Sequence, residues 1–466
     1  MLFFLPAFLL LAAEDIDTSI KRFIDVYAIV EEQAADKVEP HRAFYGGAIP
    51  GMLRRLDPHS VFFDPAQFEQ LKELEKSTRK GFGTVVSVLP GRVIILQTLP
   101  NTPSARAGVE PGDEILAVNN IPLGGLTMDQ LIGLLGQSRQ SRARLDVKRQ
   151  GNARLLQFIL TPEDVDSPSV DRVFHVEPGV GYVRVASFDQ KTGEQVKAAI
   201  ERLGGAALKG LVLDLRDNPG GFMPPALETA SLFLKPGQKI VSVRGRRIEG
   251  QQEINVPDGN SPYTFPLAVL INEKSASGSE IVAGAIQDHK RGAILGSKSF
   301  GKGLVQSVYP LSSDTGIALT TAFYYTPSGR SIQRPLSGTQ LEATSTLEGR
   351  GGIQPDHVVY PPAHSQLAGA LEANGAFALF ATTFLRQNRQ IDETFEVTSS
   401  VLSDFQGFLI DRSFAPPVSQ WSADREWIRS RLKQEILNQA LGVERGDEVE
   451  LRRDPVVRQA IQELGV

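Results

Sequence analysis

Two near-continuous apolar runs in the middle of the chain constrain its fold more than any other feature. They are Val212–Leu215 and Leu267–Ile271. Strands covered on both faces have this composition, whereas strands with one wet face alternate apolar and polar residues. The stretch from residue 164 to residue 360 alternates such strands with helical segments. This pattern predicts a layered α/β core.

The length of the chain indicates more than one core. At 466 residues, about two to four domains are expected. Apolar residues recur at helical spacing in residues 14–79 and again in residues 361–466, so both terminal regions are predicted to be helical. Residues 80–163 contain short strand-like runs and one helix that begins at Met128, is capped by Thr127 and stops at Gly136. They predict a small β-rich domain.

The composition excludes several classes of function. A hydrophobic content of 41% with 22% charged residues is ordinary for a globular protein. The net charge of −5 argues against a nucleic-acid partner, which favours a basic face. Because the chain has no cysteine, disulfides and thiolate catalysis are excluded. Its six histidines lack metal-ligand spacing, so neither a metal nor another cofactor is expected.

The first residues have the composition of an export signal. Met1–Ala13 is apolar and ends in small residues just before Glu14 and Asp15. The segment is too short to cross a bilayer as a helix, and it matches the apolar region and cleavage site of a signal peptide. The usual positive start is missing, which indicates either a mis-called start codon or a weak export signal. The structural alternative is a buried N-terminal helix. We expect export.

Two short motifs carry candidate chemistry. One is Asn272–Glu280, with the sequence NEKSASGSE, and the other is Phe300–Gly303, with the sequence FGKG. A serine is a poor nucleophile until a base takes its proton, and a lysine is such a base when burial lowers its pKa. The two motifs therefore indicate a hydrolase of the Ser-Lys kind. The structural alternative is a helix cap followed by a surface loop.

Three serines compete for the role of nucleophile: Ser275, Ser277 and Ser279. Ser279 precedes Glu280 and the apolar helix that follows, so its hydroxyl is expected to cap that helix. The spacing of the residues alone does not choose between the other two.

Motifs along the chain resemble those of the C-terminal processing peptidases, the tail-specific proteases of family S41. The resemblance extends over roughly residues 45–360 and rests on the serine and lysine motifs together with four further segments. These are GMLRRLDPHS at 51–60, GLVLDLRDNPGG at 210–221, AFYYTPSGRSIQ at 322–333 and GIQPD at 352–356. The resemblance implies a ClpP/crotonase-like α/β protease core at 164–360 with an inserted domain at 80–163.

The resemblance also implies roles for single residues. Ser277 matches the nucleophile and Lys302 the general base, while Gln306 matches a glutamine that holds the lysine in some members. The backbone N–H of Gly278 would be one oxyanion donor. The other would come from Gly220 or Gly221, and the sequence does not choose between them. Asp288 lies too far along the helix for direct contact with the serine and is expected to be structural.

The inserted domain is similar to a PDZ domain of the bacterial protease type. The similarity rests on Gly81-Phe82-Gly83-Thr84 and on the segment Pro103–Leu116. The glycine-rich loop implies free backbone N–H groups for a C-terminal carboxylate, and the adjoining strand edge accepts the peptide by β-augmentation. The alternative is a PDZ-shaped spacer that binds nothing.

Together these features predict an exported serine endopeptidase that acts in the periplasm or cell envelope of a bacterium. Expected partners are protein or peptide substrates with free C-termini and a regulatory adaptor, and the helical terminal regions are candidates for homo-oligomer contacts. Two rival functions are compatible with parts of this pattern. One is a catalytically inactive scaffold that binds peptides through the PDZ domain, and the other is an acyl-thioester enzyme on a related α/β core.

Overall fold

The computed structural model describes residues 15–74, 78–341, 351–361, 363–388 and 390–466. The signal-like segment Met1–Ala13 lies outside these residues. Contacts divide the chain into two compact units. The first unit contains residues 1–68, 306–320 and 336–343, and the second contains residues 69–305, 321–335 and 344–466.

The first unit is mainly helical in its N-terminal part, as the apolar spacing predicted. Its helical elements are α1 (Ile16–Gln33), α2 (Pro40–Ala43), a π-helix (Phe44–Ala48) and α3 (Ile49–Leu56). Asp57 ends this run because its carboxylate accepts the backbone N–H groups of His59 and Ser60 at 2.8 and 2.9 Å. The short strand β1 (Val61–Phe63), which the sequence did not predict, pairs antiparallel with residues 316–318.

The second unit begins with the small β-rich domain. Helix α4 (Pro65–Leu74) precedes it, and its own elements are β2 (Thr78–Gly81), β3 (Thr84–Leu89), β4 (Arg92–Thr98), α5 (Pro103–Ala107), β5 (Glu114–Val118), β6 (Ile121–Pro122), α6 (Met128–Ser138), β7 (Ala143–Lys148), β8 (Leu156–Leu160) and β9 (Glu163–Asp166). Strands β3, β4, β5, β7 and β8 form a sheet in that order, and β2 pairs with β9. Thr127 caps α6, as predicted, and Gln130 caps it reciprocally, although the helix ends at Ser138 rather than Gly136.

The α/β core, which contains the central sheet, follows. The elements from β10 onward are β10 (Val170–Glu177), β11 (Val180–Val185), α7 (Thr192–Arg202), β12 (Gly210–Asp214), α8 (Met223–Ser231), β13 (Lys239–Arg244), β14 (Gln252–Asn255), β15 (Leu267–Ile271), α9 (Gly278–Asp288), β16 (Ala293–Gly296), β17 (Leu304–Pro310), β18 (Gly316–Tyr325) and β19 (His357–Val358). The sheet order is β10-β11-β12-β15-β16-β19, and every pair after the first is parallel. Strands β12 and β15, which hold the two apolar runs, are buried along their whole length. The predicted α/β core is confirmed.

Helices cover both faces of this sheet. Residues of α7, α8 and α9 pack on one face. On the other face lies the last helix, α15 (Pro455–Leu464), whose Val456, Val457, Ala460 and Leu464 pack against strand residues such as Val212 and Leu270. A parallel sheet needs this double cover because neither face can be left wet.

The remaining helices form a separate apolar cluster. Helix α14 (Val443–Leu451) is the exception, since its Leu451 packs beside α15 against the central sheet. The cluster consists of α10 (Gln366–Ala373), α11 (Ala376–Gln387), α12 (Ser399–Ile410) and α13 (Val418–Leu441). Phe377, Phe405 and Ile428 lie in its centre. The cluster also contacts the β-rich domain, since the Gln150 amide donates to the Thr383 hydroxyl at 2.7 Å. Within the described ranges, no helix combines the length and apolar character of a membrane span.

One ion pair joins the last helix to the end of strand β12. The Arg216 guanidinium donates to both carboxylate oxygens of Asp214 and, through Nη1, to Asp454 Oδ2 at 2.5 Å. The other oxygen of Asp454 accepts the Val456 N–H at 2.8 Å and so caps α15. The chain just before the turn at residues 217–221 is therefore fastened to the C-terminal helix.

Candidate active site

Ser277 stands where strand β15 turns into helix α9. Its backbone has φ 53° and ψ −112°, a conformation that costs a residue with a Cβ and that surrounding contacts must maintain. Its carbonyl accepts the N–H groups of Glu280 and Ile281 at 2.9 and 3.0 Å, so Ser277 itself is the N-cap. The side chain is half-buried. A hydroxyl on such a turn is held at one place at the helix start.

A buried carboxylate connects this turn to the lysine motif. One oxygen of Glu280 accepts the backbone N–H of Ser277 and that of Lys302, both at 2.9 Å. The other oxygen accepts the Ser299 hydroxyl at 2.5 Å and the Gly301 N–H at 2.7 Å. Burial raises the pKa of the Glu280 carboxyl, although these donors favour its charged form. The backbones of Ser277 and Lys302 are thus fixed by one side chain.

A tyrosine hydroxyl forms a second link between the same two residues. Tyr324 is buried, its hydroxyl donates to the Lys302 carbonyl oxygen, and it is hydrogen-bonded to the Ser277 side chain. Burial, and the nearby Glu280 carboxylate, raise the pKa of Tyr324 well above its ordinary value. The phenol therefore stays neutral over the working pH range of proteins and acts as a fixed hydrogen-bonding group.

The glycine turn after β12 lies against Ser277. A Cβ on Gly220 would come within 2.6 Å of the Ser277 Cβ and 2.9 Å of the Gly278 nitrogen. A Cβ on Gly221, whose φ is +148°, would come within 2.1 Å of the Phe188 carbonyl oxygen. Side chains at both positions would therefore displace the turn.

The two glycines differ in their hydrogen bonds. Asn218 accepts the Gly220 N–H at 2.8 Å through Oδ1 and donates to the Val185 carbonyl at 2.9 Å. By contrast, the N–H groups of Gly221 and Gly278 donate no hydrogen bond in the part of the chain that the structure describes. Two unused donors therefore flank the turn that carries Ser277.

The other two candidate serines have structural roles. The buried Ser275 hydroxyl donates to the Leu215 carbonyl at 2.7 Å. Ser279 is also buried and donates to the Asn218 carbonyl at 3.0 Å. The prediction that Ser279 caps α9 is wrong, because the helix begins one residue after Ser277. The pattern Ser277-Gly-Ser-Glu280 is a capping-box signature, and it is the local signal that identifies Ser277 rather than Ser279 as the cap.

Two further predicted residues have partners of their own. The Gln306 amide donates to the His59 carbonyl at 2.5 Å, and both residues belong to the first unit. Its role beside Lys302 stays a prediction. Asp288 accepts the Ser328 N–H at 2.9 Å and pairs with Arg330 at 2.5 Å. As expected for a structural residue, it binds a neighbouring loop. The sequence motifs indicate no site role for Glu280, Asn218 or Tyr324, although each of these residues lies inside one of the motifs.

The loop of the β-rich domain lines a groove between β3 and α6. The cavity has a volume of about 280 Å³ and is lined by Gly81, Phe82, Gly83 and Thr84, by residues of β3 such as Val85 and Val86, and by Leu135 of α6. Neither Phe82 nor Gly83 donates a backbone hydrogen bond among the described residues. The elements predicted to receive a peptide tail therefore surround one groove.

Comparison with known proteins identifies both the α/β core and the β-rich domain. A model of peptidase family S41 matches residues 179–359, and a PDZ domain model matches residues 94–149. A carboxy-terminal-processing protease of Bartonella bacilliformis is 35% identical over 71% of this chain and 78% of its own length. A carboxyl-terminal-processing protease of Synechocystis is 33% identical over 68% of this chain and 71% of its own.

A solved structure of a photosystem II D1 C-terminal processing protease shares 29% identity with this chain. It matches over 74% of this chain and 87% of that one, with a TM-score of 0.43. The identity and coverage of the two sequence relatives decide the family. This chain belongs to peptidase family S41 and is a serine peptidase of the carboxy-terminal-processing type with a PDZ domain.

Proposed function

We propose that the protein is a Ser-Lys endopeptidase with Ser277 as nucleophile and Lys302 as general base. The observation that carries this proposal is the Glu280 carboxylate, which binds the backbone N–H groups of both residues at 2.9 Å. Two groups that exchange a proton must be held at a fixed distance and orientation. Such positioning provides a large part of the rate enhancement of an enzyme. Tyr324 supports the proposal because it contacts the same two residues.

In the proposed mechanism, neutral Lys302 takes the proton of Ser277 as the serine oxygen attacks the scissile carbonyl. Negative charge then develops on the carbonyl oxygen. The free N–H groups of Gly278 and Gly221 are the proposed donors to it, because Gly220 already donates to Asn218. Such donors contribute about 3 kcal/mol each at the transition state. Lys302 returns the proton to the leaving amine, and water then hydrolyses the acyl-enzyme.

The finer features of the fold and setting belong to the same proposal. We assign the core at 164–360 to the ClpP/crotonase-like class because helices cover both faces of its largely parallel sheet. Gln306 is proposed to orient Lys302, as the family resemblance implies. The PDZ groove is proposed to hold the free C-terminus of a protein substrate. Export to the bacterial periplasm or envelope is supported by the composition of residues 1–13.

Two substitutions test the catalytic assignment. Ser277→Ala and Lys302→Ala are each expected to abolish cleavage of an unfolded protein substrate and labelling by a fluorophosphonate probe, with melting temperatures close to that of the unmodified chain. Thr383→Ala, on helix α11, is the control and should retain both activities. If Ser277→Ala still accepts the probe, another residue is the nucleophile. If the unmodified chain neither cleaves nor reacts, the protein is a binding scaffold.

A further inference from the structure

The PDZ groove contains a buried hydroxyl with no partner. Ser104 is fully buried, and its Oγ makes no hydrogen bond within the part of the chain that the structure describes. The residue lies in α5, and its backbone N–H donates to the Phe82 carbonyl at 2.9 Å. Ser104 is thus fastened to the loop that borders the groove. A buried hydroxyl that lacks a partner is unfavourable, and a ligand that supplies one relieves that cost.

The surroundings of Ser104 indicate which part of a ligand would supply the partner. Ser104 shares the groove lining with the apolar side chains Leu99, Ile115, Leu135 and Leu145. Ser138, which lines the groove from α6, already donates to the Leu135 carbonyl at 2.8 Å. Within this lining, Ser104 therefore offers an uncommitted donor and acceptor beside an apolar surface. That combination suits a small side chain with both a methyl and a hydroxyl group.

The charged end of a tail has other donors available. Arg79 and Arg139 line the same groove, where Asp166 is the acidic residue of the lining. The N–H groups of Phe82 and Gly83 are unused by the described residues. These groups suit a terminal carboxylate, and they leave the Ser104 hydroxyl for the side chain of the last residue.

We infer that Ser104 makes the groove selective for tails that end in a small hydroxyl-bearing residue, threonine above all. Threonine and valine have the same shape, so the apolar lining accepts both, but threonine alone pairs with the Ser104 hydroxyl. This inference rests on the proposed function of the groove as the site for substrate C-termini. It adds the chemical class of the last residue.

The test measures peptide binding to the full-length chain with Ser277→Ala, so that no peptide is cleaved. Fluorescent peptides identical except for a final Thr or Val are compared as free acids and as amides. The free acid ending in Thr is expected to bind about five- to tenfold more tightly than that ending in Val. Adding Ser104→Ala should abolish this difference, whereas the control Ser138→Ala should preserve it.

Each other outcome of the binding experiment refutes a specific part of the proposal. Equal affinity for Thr and Val with free acids still above amides refutes the role of Ser104 and keeps the groove as the tail site. Equal weakening of both free acids by Ser104→Ala also refutes it, because the hydroxyl would then bind the carboxylate. No difference between acids and amides refutes the proposed function of the groove itself. Melting temperatures of the variants establish that each is folded.

Discussion

The Glu280 carboxylate accepts the backbone N–H of Lys302 at 2.9 Å, and the same oxygen accepts the N–H of Ser277. The proposed nucleophile and the proposed base lie on different segments of the chain, and a helix and a strand intervene between them. A side chain in the first turn of α9 therefore sets the distance between two backbones. This arrangement makes Glu280 a positioning residue in the proposed mechanism.

Glu280→Gln is expected to lower kcat at least tenfold with little change in KM. The amide has one oxygen, so either the pair Ser277 and Lys302 or the pair Ser299 and Gly301 would face an NH₂ group that cannot accept their hydrogen bonds. Glu194→Gln, an exposed glutamate in the first turn of α7, is the matched control. Unchanged kcat in Glu280→Gln would remove the positioning role.

Activity and stability should respond to acid in opposite ways through Glu280. Burial raises the pKa of this carboxyl above the ordinary 4.5. Protonation of Glu280 would remove acceptor sites for the hydrogen bonds that position Ser277 and Lys302. Activity should therefore fall at a higher pH than that at which an ordinary glutamate titrates. Because the folded-state pKa is raised, the stability linked to this group is complete below 4.5 and is lost as pH rises through the folded-state value. The rate and the melting temperature, each measured over the same pH series, check these two trends. Glu280→Gln removes the titrating carboxyl, so it is expected to remove the part of each pH dependence that Glu280 causes.

Asn218→Ala should reduce kcat by about tenfold or more, because it loosens the turn that carries the proposed oxyanion donor Gly221. The substitution removes the acceptor of the Gly220 N–H and the donor to Val185, so the turn beside Ser277 is no longer held. Asn260→Ala is the control, since that amide also donates to backbone carbonyls but at residues 231 and 234. Rates of acylation by a fluorophosphonate probe measure the effect. Equal losses in the two variants would mean that only general stability had changed.

Tyr324→Phe is expected to slow acylation about three- to tenfold. The variant keeps the buried ring but loses the hydroxyl that bridges the Lys302 carbonyl and the Ser277 side chain. Since the raised pKa keeps Tyr324 neutral, the alkaline side of the rate profile should keep its position. A shifted profile would instead show that Tyr324 titrates during turnover. Tyr263→Phe, which removes a hydroxyl bonded to Glu201, provides the comparison.

Asp454→Asn separates the charge of the residue from its role as a cap. Asparagine is as good an N-cap as aspartate, so α15 should persist, but the largely buried Arg216 loses its second anionic partner. We expect kcat to fall several-fold with KM little changed. Thr398→Ala, which removes the cap of α12, tests whether loss of stability alone has this effect. An unchanged kcat in Asp454→Asn would uncouple the last helix from the turn.

The elements that the sequence predicted well are those set by local rules. Leu267–Ile271 is a buried strand because its residues are uniformly apolar, and Thr127 caps α6 because Gln130 stands three residues later. The failures concern long-range partners. Ser279 was expected to act as a cap, but its hydroxyl donates a hydrogen bond to the carbonyl of Asn218, which lies 61 residues away in the sequence. The capping-box pattern accounts for the bond between Glu280 and the Ser277 N–H, but the bond of Glu280 to Lys302 and the contacts of Tyr324 form only after folding, and no local pattern encodes them.

The bond between Arg216 and Asp454 has a consequence for the order in which the enzyme is made. A ribosome releases residues in sequence, so Ser277 and Lys302 emerge long before Asp454. Until the final helix has docked, Arg216 lacks this partner and one face of the central sheet lacks its cover. The turn at residues 217–221 therefore gains this support only once α15 has been synthesised.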